Sequence, residues 1–317
     1  MKVSICITVK NEERWIAALL DSLLEQSIKP DEVVIVDGDS TDKTAEIIKH
    51  YQKKNKEIKL LIEKGGIAHG RNTAIEIAKY PVIAQIDSGC VAKPDWLEKI
   101  TEPLKYETVG VSAGFYVISS GTSLQKAMSL YLGTHPKRFS QQTFLPSARS
   151  VAFKREVWEK VGGYDEKLDK GGEDTKFFVS CVKNKIRMAR VGEAKVIWKE
   201  IKDLTLKEYF WKIFSYAKGD FRTRIWMYPI PNTMSHNIKI IIVLLRYLAA
   251  LALLIYALIN SPFFYPLAGL AVLYIFWSVW KFRDIPNSWK VRVLIPIIQI
   301  TSDIAVMSGF IYGLARK

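Results

Sequence analysis

The chain has 317 residues, of which 46 are Lys or Arg and 32 are Asp or Glu, so its formal net charge is +14. Its three cysteines are far apart and form no Cys-x-x-Cys pair, which argues against a disulfide framework and a zinc site. No nucleic-acid-binding motif accompanies the positive charge. The sequence therefore predicts no nucleic-acid partner and favours an anionic membrane surface as the partner of this charge.

The charged residues divide the chain into two parts. The first 237 residues hold 38 Lys or Arg and 30 Asp or Glu, whereas the last 80 hold only 8 and 2. This contrast predicts a soluble domain over residues 1–202, an amphipathic linker over 203–237 and a membrane domain over 238–317.

Strand-like and helix-like runs alternate through the first part of the chain. The predicted strands are Val3–Val9, Val33–Val36, Ile58–Ile62 and Val82–Ile86. The predicted helices are Glu12–Gln26, Lys43–Lys54, Ala68–Lys79 and, further along, Thr175–Asn184. This alternation predicts an α/β fold with a Rossmann-like, mostly parallel sheet and helices on both of its faces.

Two aspartates directly follow apolar strands of this predicted sheet. They are Asp37 and Asp87. Such an Asp is often ordinary turn chemistry. Two of them at equivalent positions favour a ligand site, because open α/β sheets bind ligands outside the carboxyl ends of their strands.

The membrane part contains three apolar stretches, each near the length that a helix needs to cross hydrocarbon. They are Ile238–Ile259, Pro262–Trp280 and Val291–Leu314. Arg246 lies inside the first and should face protein or an interface. The third contains Pro296 and Asp303, so it could span, re-enter or lie partly in the interface, and we predict that it spans.

The segment before these stretches, Asp203–Tyr228, has an apolar stripe and basic flanks, which indicate a helix in the membrane interface. A helix packed on the sheet would show the same stripe. We expect no cleaved signal peptide, because the chain starts with a β-like run, and hence a cytoplasmic first domain. The basic loop Lys281–Arg292 supports that orientation, because cytoplasmic loops carry an excess of Lys and Arg. Three spans would leave Arg316 and Lys317 on the opposite side, which fits the rule less well.

Several short motifs, taken together and in order, resemble those of family 2 glycosyltransferases. Val3–Glu12 and Val34–Thr44 carry the opening of the pattern. It continues through Gly70-Arg-Asn72, Gln85-Ile-Asp-Ser-Gly89, Pro94–Leu97, Ala152–Arg155, Val161–Asp165 and Gly172-Glu-Asp174. The resemblance covers roughly residues 1–200 and implies a GT-A fold and an inverting, nucleotide-sugar-dependent transferase.

The resemblance also implies a donor site. Asp37 would bind the nucleotide base, and Thr8, Val9 and Glu12 would line the nucleotide pocket. Arg71 would contact the diphosphate of a UDP- or GDP-sugar.

By the same resemblance Asp87 would bind Mg²⁺ or Mn²⁺, but Gly89 stands where the family's Asp-x-Asp motif has its second Asp. The other metal ligands therefore stay open, with His135 as a candidate. Asp174, the second residue of the Glu173–Asp174 pair, would be the catalytic base; helix capping would require the same residue types at this place.

These features predict transfer of a sugar onto a hydroxyl of a lipid-linked or cell-surface glycan at the cytoplasmic face of the membrane. The chain lacks the Gln-x-x-Arg-Trp motif of processive synthases, since Arg224-Ile-Trp226 has neither the Gln nor the adjacency. One alternative is a polyprenyl-phosphate glycosyl synthase, whose acceptor is a lipid phosphate. Another is a catalytically silent nucleotide-sugar-binding membrane module.

Overall fold

The computed structural model describes residues 1–168, 171–223 and 236–315. The chain forms two compact units: the first comprises Met1–Ser119 and Phe139–Lys202, and the second comprises Ser120–Arg138 and Asp203–Lys317. One of the unit boundaries, between Lys202 and Asp203, coincides with a predicted domain boundary. The assignment of Ser120–Arg138 to the second unit has no counterpart in the predicted domains.

The first unit contains an eight-stranded sheet with the strand order β3-β2-β1-β4-β7-β6-β8-β5. The strands are β1 Val3–Val9, β2 Glu32–Asp37, β3 Ile58–Ile62, β4 Val82–Gln85, β5 Cys90–Ala92, β6 Val111–Ile118, β7 Val151–Lys154 and β8 Met188–Trp198. Strands β1 and β2 are buried along almost their whole length, which explains their continuous apolar runs.

The sheet is parallel in its first half and mixed in its second. Strands β3, β2, β1 and β4 run parallel, as the alternation of strands and helices predicts. Strand β7 runs antiparallel to both β4 and β6, and β5 runs antiparallel to β8. The predicted α/β class is confirmed, with an antiparallel portion added beyond β4.

The helices of the first unit are α1 Ile16–Leu24, α2 Thr44–Lys54, α3 Ile67–Ile77, α4 Trp96–Thr101, α6 Arg155–Val161 and α7 Glu173–Lys183. Four of them, α1, α2, α3 and α7, overlap the predicted helices, whereas α4 and α6 have no predicted counterpart. The prediction placed the start of α1 at Glu12, which is too early. Asn11 has a φ of 55°, and the backbone N–H of Glu12 donates to Thr44 Oγ1 at 2.7 Å, so these residues form a loop that is bound to the start of α2.

The second unit is helical. Its helices are α5 Ser123–Leu132, α8 Leu206–Thr223, α9 His236–Ile259, α10 Phe264–Trp280 and α11 Trp289–Ala315. Within the residues that the structure describes, three segments are long and apolar enough to cross a membrane: Ile240–Ile259, Ser261–Trp280 and Trp289–Ala315. Helix α11 continues through Pro296, so the third stretch forms one helix of spanning length.

Helix α8 begins later than the predicted amphipathic segment, after a short 3₁₀ turn, and the part of that segment beyond Thr223 lies outside the described residues. Its buried face is formed by Tyr209, Ile213 and Ala217. Tyr209 hydrogen-bonds Ser302 of α11 at 2.6 Å. The buried face of α8 therefore packs against α11, and its predicted position in a membrane interface stays a prediction.

The two helices approach closely where α11 carries glycines. A Cβ built on Gly309 would lie 2.3 Å from the backbone oxygen of Phe214 and 3.1 Å from the Cβ of Ala217. Small residues let helix backbones approach in this way in membrane proteins. Gly309 is thus a packing requirement of the α8–α11 contact.

A cluster of polar side chains joins the three helices of spanning length. Asp303 of α11 accepts hydrogen bonds from Arg246 at 2.6 Å, from Tyr247 at 3.2 Å and from Gln299 at 2.8 Å, and Tyr274 of α10 also donates to it. Every polar group at membrane depth needs such partners, because hydrocarbon supplies none. Arg246 in the first apolar stretch and Asp303 in the third are therefore each other's charged hydrogen-bond partner.

We expect Gly309→Ala to lower the thermal stability of the full chain, because the added methyl group meets a backbone carbonyl that cannot rotate away. Overpacking of this kind typically costs about 1–3 kcal/mol. Gly269→Ala in α10 is the matched control, since no heavy atom of the described residues, apart from the local backbone of α10 and the chain neighbours, lies within 4 Å of its Cβ position. Melting curves of both variants in the same detergent should show a loss for Gly309→Ala alone; equal curves would contradict the close contact.

Candidate functional site

The carboxyl ends of the parallel strands bring the predicted donor residues to one edge of the sheet. Val9, the last residue of β1, is paired with Asp37, the last residue of β2. Strand β4, next to β1 on the other side, ends at Gln85, two residues before Asp87. The sheet order therefore places both predicted aspartates at the same edge.

Asp37 is fully buried and only half of its carboxylate is satisfied. Oδ1 accepts hydrogen bonds from the backbone N–H and the hydroxyl of Ser40, at 2.9 and 2.6 Å. Oδ2 is buried and has no hydrogen-bond partner among the described residues. A buried acceptor without a donor is costly, so a ligand N–H at this atom would be stabilised.

Of the other predicted pocket residues, Thr8 and Val9 lie on β1 beside the end of β2, whereas Glu12 lies in the loop that is bound to the start of α2. Val9 is buried and its carbonyl accepts from the backbone N–H of Gly38 at 2.9 Å, while Thr8 and Glu12 are half-buried. Helix α3 approaches β1 closely at Gly70, where a Cβ would lie 2.9 Å from Thr8 Cγ2. The absence of a side chain at Gly70 therefore lets α3, which carries Arg71, pack directly against the pocket strand.

Arg71 joins two acidic residues that are far apart in the sequence. Its guanidinium is 4% exposed and donates from Nη1 to Glu173 Oε1 and from Nη2 to Asp87 Oδ1, the latter at 2.9 Å. The ring of Tyr164 lies beneath it, 5.5 Å from Cζ. Burial lowers the pKa of Arg71, but Glu173 and Asp87 more than offset this and raise the pKa overall.

Asn72, next to Arg71, fixes the turn that carries Tyr164. Its side-chain N–H donates to the carbonyl of Tyr164 at 2.9 Å, and its side-chain oxygen accepts from the N–H of Tyr164 at 2.8 Å. The hydroxyl of Tyr164 donates to Gln85 at the end of β4. Hydrogen bonds thus join three residues from different motifs, Asn72, Gln85 and Tyr164, into one support for Arg71.

The Glu173–Asp174 pair opens α7, and its two members occupy different environments. Glu173 is buried; desolvation raises its pKa, and the contact with Arg71 opposes that change. Asp174 is half-buried, and its Oδ2 lies 3.3 Å from the hydroxyl of Ser147 and 3.4 Å from the backbone N–H of Ala148. Of the two carboxylates, Asp174 is the one accessible to a ligand.

Arg149 is a residue of this site that the sequence did not single out. Its Nε lies 3.8 Å from Asp87 Oδ2, and its Nη1 donates to Ser147 at 3.2 Å. Its Cζ lies 3.9 Å from the ring centre of Trp198. Only the antiparallel pairing of β4 and β7, which is invisible in the local pattern, brings Arg149 to Asp87.

The residues present offer a limited set of metal ligands. Within residues 1–168, 171–223 and 236–315, no group of three or more His, Cys, Asp or Glu side chains is arranged to hold a metal ion. His135 belongs to the second unit, where its Nδ1 accepts from the N–H of Lys137. Mg²⁺ commonly uses one or two carboxylates together with substrate phosphates and water, so Asp87 fits as a single protein ligand of that kind.

Comparisons with known proteins agree with this architecture. The family described as "Glycosyl transferase family 2" matches residues 4–162. The mannosyltransferase PcManGT of Pyrobaculum calidifontis, solved with GDP-Man and Mn²⁺, is similar in structure with a TM-score of 0.63, at 19% identity over 100% of this chain and 88% of that chain. This likeness supports the predicted GT-A fold.

Two curated relatives match at the level of sequence. The chain is 25% identical over 209 residues to "Uncharacterized glycosyltransferase EpsJ" of Bacillus subtilis, covering 62% of this chain and 61% of that protein. It is 24% identical over 193 residues to "Glucosyl-dolichyl phosphate glucuronosyltransferase" of Haloferax volcanii, covering 55% and 59%. The matched region thus spans about three fifths of the length of these relatives. Because the family match covers half of the chain, the protein belongs to glycosyltransferase family 2.

Proposed function

We propose that this glycosyltransferase moves a sugar, with inversion, from a UDP- or GDP-sugar onto a hydroxyl of a lipid-linked or cell-surface glycan at the cytoplasmic face of a membrane. One observation carries the proposal. Asp87 and Asp174 are joined by two contact paths, one through Arg71 and Glu173, the other through Arg149 and Ser147. The carboxylate proposed to lie beside the diphosphate and the carboxylate proposed as the base therefore belong to one connected group of side chains.

The donor nucleotide is proposed to bind at the carboxyl ends of β1 and β2. The unpartnered Oδ2 of Asp37 would accept an N–H of the base, which both uracil and guanine carry. Thr8, Val9 and Glu12 would line the pocket around it. The buried position of Asp37 makes this contact strong, because little water competes for the carboxylate.

The diphosphate is proposed to lie beside Asp87. This carboxylate would hold Mg²⁺ or Mn²⁺, and the similar structure PcManGT contains Mn²⁺. The cation would neutralise charge on the departing nucleoside diphosphate. Arg71 is committed to Asp87 and Glu173, so its contacts favour a positioning role, while the predicted contact of Arg71 with the diphosphate stays a prediction.

Asp174 is proposed as the general base. It is accessible, it lies at the start of a helix, and its Oδ2 makes only long contacts, to Ser147 and Ala148. A sugar hydroxyl needs a base that removes its proton as it attacks the anomeric carbon. A single in-line displacement of this kind inverts the configuration at that carbon.

The acceptor is proposed to be membrane-bound because the chain has three helices of spanning length. The relative from Haloferax volcanii bears a name that includes a glucosyl-dolichyl phosphate, which is a lipid-linked sugar. That name favours a sugar hydroxyl over a bare lipid phosphate as the acceptor here as well. The polyprenyl-phosphate synthase reaction is the second candidate, since it uses the same donor centre and a related lipid.

The acceptor can be tested with purified full-length protein in vesicles. Radiolabelled UDP- and GDP-sugars are offered together with either polyprenyl phosphate or a polyprenyl-diphosphate-linked sugar. We expect label to enter the lipid-linked sugar and the product to have the inverted anomeric configuration. Label in bare polyprenyl phosphate alone would establish the second candidate, and retention of configuration would refute the single displacement.

We expect Asp37→Asn to weaken the binding of the donor nucleotide at least about tenfold, because a hydrogen bond to a charged acceptor typically contributes about 1.5–3 kcal/mol. The measurement is calorimetric titration with UDP and GDP. Asp39→Asn is the matched control: it lies two residues away, is exposed, and its φ of 68° suits Asn. Equal affinity of the two variants would contradict the role of Asp37.

We expect Asp174→Asn to lower turnover at least roughly 100-fold while donor affinity and melting temperature stay near wild type, because the amide cannot take the proton. Glu173→Gln should act differently. It leaves buried Arg71 without one of its two carboxylates, so it should lower the melting temperature. If Glu173→Gln reduces turnover more than Asp174→Asn at a temperature where both are folded, the two roles must be exchanged.

A further inference from the structure

We propose that Arg149 is the residue that binds the diphosphate of the donor and stabilises it as it leaves. The inference rests on the proposed function, because it assigns a diphosphate subsite within the same donor centre. It gives to Arg149 a contact that the family resemblance assigns to Arg71.

The end of the β4–β7 ladder brings Arg149 close to Asp87. Strands β4 and β7 are antiparallel, and their last pair is Gln85 with Val151. Asp87 follows β4 by two residues, and Arg149 precedes β7 by two residues. Arg149 Nε lies 3.8 Å from Asp87 Oδ2. Arg149 therefore lies at the edge of the sheet where the donor is proposed to bind.

Two aromatic rings hold the guanidinium of Arg149 in place. Its Cζ lies 3.9 Å from the ring centre of Trp198, at the end of β8, and 5.1 Å from that of Tyr116, on β6. A guanidinium stacked on a ring keeps the N–H groups at its edge in a fixed plane. A fixed fork of donors suits phosphate oxygens, which Arg binds in a bidentate manner.

Arg71 is less suited to this contact. It is nearly fully buried, and its two terminal nitrogens donate to Glu173 and to Asp87. Binding a phosphate through those nitrogens would require it to release a buried carboxylate. Arg149 is more exposed, with 17% of its side chain accessible, and its approach to Asp87 at 3.8 Å is longer than a hydrogen bond.

The acidic residues at the centre favour a cation beside the diphosphate. The centre brings together three carboxyl groups, of Asp87, Glu173 and Asp174, and two guanidinium groups, of Arg71 and Arg149. A nucleoside diphosphate adds further negative charge, and more develops as the bond to the sugar breaks. Gly89 supplies no second carboxylate to hold a metal ion. The guanidinium of Arg149 would add positive charge beside the diphosphate without a metal ion.

The test measures nucleotide affinity and needs no acceptor. Full-length wild type, Arg149→Gln and Arg149→Lys are titrated with GDP, GMP, UDP and UMP, once in EDTA and once with Mn²⁺. For the base that wild type prefers, we expect Arg149→Gln to weaken the diphosphate about tenfold and the monophosphate by less than about twofold, a difference typical of one lost charged hydrogen bond. Arg149→Lys should recover part of the loss, because it keeps the charge but not the fork.

Arg190→Gln is the matched control. Arg190 also lies in the first unit, and its Nε donates to the carbonyl of Phe144 at 2.7 Å, in the segment that leads to Arg149. We expect this variant to leave the ratio of diphosphate to monophosphate affinity unchanged.

An equal loss for both nucleotides in Arg149→Gln, or no loss, would overturn the inference while leaving the donor site intact. Wild-type protein that binds none of the four nucleotides would overturn this inference and the proposed function together.

Discussion

The buried guanidinium of Arg71 is the constraint on which the rest of the candidate donor centre depends. A cation with 4% exposure needs acidic partners, and this one has Asp87 from the end of β4 and Glu173 from the start of α7. The helix α3, the strand β4 and the helix α7 are therefore tied together at one point. Tyr164 beneath the guanidinium, held by Asn72, completes this support.

This constraint also separates the roles of two neighbouring carboxylates. Adjacent residues of a helix point about 100° apart. Because Glu173 turns inward to Arg71, Asp174 must turn towards Ser147 and the half-exposed side. The same reasoning applies at Asp37, where Ser40 occupies one carboxylate oxygen and leaves the other buried without a partner. The carboxylate of Asp37 thus has an unfilled hydrogen-bond position at the place where the nucleotide base is proposed to bind.

Much of this centre could be predicted from the sequence because its residues follow strands or stand in short ordered motifs. Strands Val3–Val9 and Ile58–Ile62 have the predicted bounds, since their apolar runs end at polar residues. Asp37 and Asp87 lie at one edge because parallel strands align their carboxyl ends. Local signals were sufficient for these features.

Other features depend on pairings that no local pattern carries. Arg149 reaches Asp87 only because β7 inserts antiparallel between β4 and β6. The segment Ser120–Arg138 reads as an ordinary loop and helix, yet its Tyr131 donates to Gln299 of α11 at 3.2 Å and it belongs to the second unit. The start of α1 was predicted too early, at Glu12. Asn11 and Glu12 belong to a loop instead, because their backbone N–H groups donate to residues at or just before the start of α2.

The membrane helices show the same dependence on distant partners. Taken one stretch at a time, Arg246 and Asp303 each count against a membrane-spanning helix, because an isolated charge in hydrocarbon is costly. The structure pairs them at 2.6 Å and surrounds Asp303 with the hydroxyls of Tyr247 and Tyr274. The cost of each charge is therefore reduced by the other, which requires α9 and α11 to be neighbours. Polar residues that weaken the hydropathy of each stretch thus specify which helices pack together.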